Sequence, residues 1–143
     1  MLLGEYEHTL DDKKRLTLPA KFRRDFEDGC VVSRGLDGCL VAWTRESWDK
    51  YEETTLSTLN QLSREERQLR RYLLSGATDT TPDRQGRVLI PPTLLTHAKL
   101  GRDVVVAGVN DHLEIWDRSA WRAVLSEVEG SAEDVAERLA QRS

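Results

Sequence analysis

The chain states one motif twice, and that repetition limits the folds open to it more than any other feature. Asp11-Asp12-Lys13-Lys14-Arg15-Leu16-Thr17-Leu18-Pro19 returns, 72 residues later, as Asp83-Arg84-Gln85-Gly86-Arg87-Val88-Leu89-Ile90-Pro91. Both copies read D-x-x-x-R, then apolar positions, then proline. The echo continues: Val31-Val32, Gly35, Leu40, Trp43, Arg45 and Trp48 recur 73 residues on as Val104-Val105, Gly108, Leu113, Trp116, Arg118 and Trp121. A unit this long, present only twice, is too large for a solenoid repeat and matches a duplicated half-domain. It predicts a pseudo-two-fold molecule whose two loops occupy symmetry-related positions.

Each copy yields the same local plan. Glu5 to Leu10 and Arg15 to Leu18 read as short strands around a tight turn at Asp11 to Lys14, and Ala77 to Thr81 with Arg87 to Ile90 repeat this around Asp83 to Gly86. Pro19 and Pro91 mark where the chain leaves the sheet, since proline cannot donate to a ladder but is tolerated in a first helical turn. A short helix follows, then a hairpin around Asp37-Gly38 or Asn110-Asp111. Helical sequence closes each unit. Thr44 is placed to cap one helix; Ser63 with Glu66, and Ser131 with Asp134, have capping-box spacing, and Gly76 suits a helix stop. The expectation is an α+β protein of two ββαββαα repeats, residues 1–76 and 77–143. Four strands bury little alone, so the two sheets should interleave.

The net charge of −4 and the pI near 5.4 argue against nucleic-acid binding if only the sum is read. The distribution says more. Lys13, Lys14, Arg15, Lys21, Arg23 and Arg24 stand together with no acid between Lys13 and Arg24, whereas acids dominate from Asp103 onward. Such a basic run repels itself unless an anion faces it.

In the repeated turn, an aspartate can accept backbone amide bonds and pair with the arginine four residues on, which makes Asp11 and Asp83 turn-builders. Gly86 supplies the positive φ that such turns use; the first copy has Lys14 there, which predicts a turn of different shape. Arg15 and Arg87 also suit phosphates and guanine edges. The tryptophans read as core. The scattered His8, His97 and His112 match no metal or nucleophile pattern and no glycine loop cradles a phosphate, so neither an enzyme nor a cofactor is expected. Cys30 and Cys39 read as reduced, buried thiols. No apolar run reaches bilayer length and no secretory signal opens the chain, which predicts a cytoplasmic protein without a membrane partner.

Leu3-Gly4-Glu5-Tyr6, Leu10 through Arg23, Leu74-Ser75-Gly76-Ala77, Asp83 through Arg87 and Leu113-Glu114-Ile115-Trp116 together resemble the MraZ family, bacterial transcriptional regulators with tandem SpoVT/AbrB-type domains. The resemblance implies a swapped-hairpin β-barrel with helices packed outside. It implies a ring-like homo-oligomer, an octamer or dodecamer, at the nucleoid. It also implies binding to direct repeats in the promoter of a division and cell-wall gene cluster, including the regulator's own gene. On that basis Arg15 is the candidate for guanine, Lys13 and Lys14 for phosphates, and Lys21, Arg23 and Arg24 for positioning or subunit contacts. Arg87 ranks second because its neighbourhood is less basic, which casts the first turn as reader and the second as scaffold. The rival expectation is an assembly or antitoxin-like protein whose basic face docks an acidic protein. No small-molecule substrate is expected.

Overall fold

Short strands beside an unpaired duplicate bury their apolar face most cheaply against that duplicate, and this governs the topology. The computed structural model describes residues 1–142. Its first half runs β1 (Leu2–Thr9), β2 (Arg15–Thr17), a 3₁₀ helix (Ala20–Phe26), β3 (Cys30–Arg34), β4 (Leu40–Thr44), α1 (Arg45–Thr54) and α2 (Arg64–Ser75). The second runs β5 (Thr78–Thr80), β6 (Arg87–Leu89), α3 (Pro92–His97), β7 (Asp103–Asn110), β8 (His112–Asp117), α4 (Arg118–Glu129) and α5 (Ala132–Ala140).

Six strands form an antiparallel sheet in the order β1-β7-β8-β4-β3-β5, and β2 pairs with β6 in a separate ribbon. The first strand of each half lies on the third strand of the other, β1 on β7 and β5 on β3. Equivalent strands meet at the centre, β4 on β8 and β2 on β6. Exchanging the two halves leaves this pairing scheme unchanged. The ladders do not close into a barrel: β1 and β5 end the sheet, and an isolated bridge between Leu10 and Leu16 joins β1 to the ribbon. Pro19 and Pro91 follow one residue beyond the ribbon strands, after Leu18 and Ile90, and supply no N–H with which to extend it.

Alternation along the strands builds two apolar layers. Val32, Leu40, Ala42, Val104, Val106, Leu113 and Ile115 face inward, where Leu16, Leu18, Val88 and Ile90 from the ribbon region and Phe22, Phe26 and Leu94 from the short helices cover them. The other sheet face carries Val31, Val41, Trp43 and Trp116 beneath Trp48 and Tyr51 of α1 and Trp121 and Val124 of α4. Trp43 stacks on Tyr51 at 4.3 Å between centroids, a core role. Cys30 and Cys39 are free and buried, and burial pushes both thiols up to about 12.

Gly35 and Gly108, equivalent in the repeat, both lack room for a Cβ. At Gly108 it would stand 2.6 Å from backbone atoms of Leu2 and Leu3, so glycine permits β1 to approach β7. The helix that follows each hairpin is clasped to the exchanged strand of the other half: Arg45 to Asp79 at 2.8 Å, and Arg118 to Glu7 at 3.9 Å.

Helix ends depart from the sequence reading at two capping boxes, while Gly76 stops α2 as expected. Thr44 caps α1 through the Ser47 amide, but Ser63 forms only half a box, since Glu66 turns its carboxylate to the Asn60 amide at 3.0 Å. Ser131 caps nothing with its side chain; its hydroxyl points back to the Glu127 and Val128 carbonyls. Gly76 is right-handed, and its small size matters because a Cβ would meet the Arg34 guanidinium at 2.8 Å. Among the described residues no helix is long and apolar enough to cross a membrane.

Candidate nucleic-acid interface

The two D-x-x-x-R turns close opposite ends of the β2–β6 ribbon. Ile90 donates to the Lys14 carbonyl at one end, and Leu18 to the Gly86 carbonyl at the other. Within each turn one aspartate does three tasks. Asp11 Oδ1 accepts the amides of Lys13 (2.9 Å) and Arg15 (2.8 Å), while Oδ2 accepts Arg15 Nε at 2.7 Å. Asp83 does the same for Gln85 (2.9 Å), Arg87 (2.9 Å) and Arg87 Nε (2.7 Å). These bonds hold both carboxyls below the usual aspartate range, the Arg15 and Arg87 amides contributing most.

The expectation that Lys14 gives the first turn another shape is overturned. Lys14 takes φ 62 and Gly86 φ 77, both left-handed, and the bonding is the same in the two turns. Three aspartate-held contacts outweigh the steric cost of a left-handed lysine, about 1–2 kcal/mol.

In the ribbon, Arg15 lies opposite Leu89 and Thr17 opposite Arg87. Leu16 and Val88 point into the core, so these four residues share the outward face. The two arginines are therefore diagonal neighbours, roughly 7–8 Å apart at the backbone. Their side chains are equally open, 28% and 29% exposed. Among the described residues the aspartates engage only Nε, which leaves both Nη groups of each guanidinium for an external acceptor.

Arg23 belongs to the first half but serves the second turn: a Cβ on Gly86 would stand 2.7 Å from Arg23 Nε. It shares a cleft there with Glu27, Asp83 and Arg84. The other half thus adds a base to those of the second turn's own sequence, Arg84 and Arg87. Lys13 and Lys14 are exposed at the first turn, and Lys21 and Arg24 are exposed on the 3₁₀ helix, with no ion pair to either turn among the described residues. Arg84, Thr17 and Leu89 were not singled out in the sequence. Arg84 could have been found as a base inside the second motif; alternation alone sets Thr17 on the same side of its strand as Arg15, but only the ribbon pairing placed Thr17 and Leu89 beside both arginines.

A model of the family described as "MraZ protein, putative antitoxin-like" matches twice, over residues 1–72 and 73–143. The chain belongs to the MraZ family. It is 48% identical over 141 residues to the transcriptional regulator MraZ of Roseiflexus sp. (strain RS-1), spanning 99% of this chain and 98% of that one. It is 44% identical over 139 residues to the transcriptional regulator MraZ of Ligilactobacillus salivarius (strain UCC118), with 97% and 96% spanned. The two matches to the MraZ model meet inside α2, and the exchanged strands β1 and β5 fall one in each.

Proposed function

We propose that this chain is a transcriptional regulator that binds promoter DNA through the outward face of the β2–β6 ribbon. The observation that carries the reading is the pair of arginines on that face, each oriented by an aspartate through Nε and each with its Nη groups unused among the described residues. A two-stranded ribbon fits a B-DNA major groove, where arginine Nη groups match guanine O6 and N7. Lys13, Lys14, Arg84 and Arg23 flank the ribbon where phosphates would run. Both turns take part in this reading, in place of one reader and one scaffold.

The exchanged strands belong to the swapped-hairpin arrangement typical of the resemblance, and the regulator acts in the cytoplasm at the nucleoid. It works as a ring-like homo-oligomer on direct repeats in the promoter of a division and cell-wall gene cluster. Support for association comes from apolar side chains left open on the outer helices: Val128 is 51% exposed, Leu139 52%, and no residue of α5 is buried. Several copies meeting several repeats convert a weak single contact into avidity.

The test is a gel shift with a direct-repeat promoter fragment and a scrambled control. Preference for the repeats with a steep salt dependence supports the reading. Equal or absent binding would favour docking of an acidic protein instead.

A further inference from the structure

The ribbon is symmetric in its arginines and asymmetric in what lies beside them. Pseudo-two-fold exchange takes Arg15 to Arg87 but takes Thr17 to Leu89. Leu89 is 55% exposed, a large aliphatic side chain held out on an otherwise polar face, directly across from Arg15. Its neighbours Val88 and Ile90 are each 1% exposed, so alternation along the strand fixes its outward orientation. In the major groove the one apolar feature on a base edge is the thymine methyl group.

We propose that Leu89 packs on a thymine methyl beside the base pair addressed by Arg15, and that the difference between Leu89 and Thr17 gives the ribbon a direction on DNA. A ribbon with identical halves would read its site equally well in both orientations. One with Arg15 facing leucine and Arg87 facing threonine does not, and it selects a directional element. The proposal rests on the DNA-binding reading above and adds the residue that sets polarity.

The experiment measures binding of the full chain to a direct-repeat promoter fragment in which each thymine of the repeat is replaced in turn by uracil, which removes only the methyl. For the parent, one position should lose affinity by about fourfold per repeat, the worth of one buried methyl-sized group. For Leu89→Ser, that position should become indifferent while the remaining sequence preference persists. The inference is overturned if uracil is tolerated at every position by the parent, or if the loss survives in Leu89→Ser. It is also overturned if Leu89→Ser changes the mass of the oligomer, which would assign Leu89 to a subunit contact. A parent that does not prefer the repeats over a scrambled fragment sinks the DNA-binding reading itself, a result distinct from these.

Discussion

Lys14 adopts φ 62 at the place where Gly86, its counterpart in the second turn, adopts φ 77. Two residues with opposite steric tolerances thus hold one conformation, imposed by the aspartate three positions earlier. Lys14→Gly relieves a left-handed penalty of about 1–2 kcal/mol and returns about 0.5–1 kcal/mol of chain entropy to the unfolded state. The expected outcome is stabilisation by about 0.5–1 kcal/mol, read as a shift in the urea midpoint at constant slope.

Gly108 gives the opposite outcome. Its Cβ would press on the backbone of Leu2 and Leu3 at 2.6 Å, where neither strand can yield without breaking the β1–β7 ladder. Gly108→Ala should cost about 1–3 kcal/mol, and amide exchange should rise first along β1. Equal protection in β1 would argue that the strand is not held by this approach.

The paired clasps are predicted to matter little. Arg45 and Asp79 are 44% and 61% exposed on their side chains, so Asp79→Ala should lower stability by less than about 1 kcal/mol. Trp43→Ala, at the centre of the outer apolar layer, should cost about 3–5 kcal/mol. Thermal unfolding of the two variants side by side checks the ranking.

Acid should loosen the turns. Asp11 and Asp83 have folded pKa values below the ordinary 3.8, so their contribution is fully present above that value. It fades as pH falls from there through the depressed folded values. Asp11→Asn with Asp83→Asn should flatten this part of the stability profile while leaving the profile above pH 5 parallel to the parent's. A profile as steep as the parent's below the ordinary aspartate value would place the acid sensitivity elsewhere.

The duplication, the element order and the turn residues were legible because each leaves a local mark: a spaced motif, a period, a proline. The exchange of β1 and β5 between halves was legible only as a need to interleave, since which strands pair depends on contacts far apart in sequence. The contrast between Lys14 and Gly86 misled because propensity was read at one residue while Asp11 decided the geometry. The ranking of Arg87 below Arg15 counted only the bases near each turn in sequence, and the Arg23 side chain that reaches the second turn from the other half left no mark there.

The central claim is that both arginines of one ribbon face engage DNA. It is tested most directly by fluorescence anisotropy with a direct-repeat promoter fragment, measured across a salt series for the parent, Arg15→Ala and Arg87→Ala, each first shown to be folded. The account predicts that either change lowers affinity by about 10-fold or more, shallows the salt slope, and relaxes the preference over a scrambled fragment. Parent-like binding by either variant would contradict it.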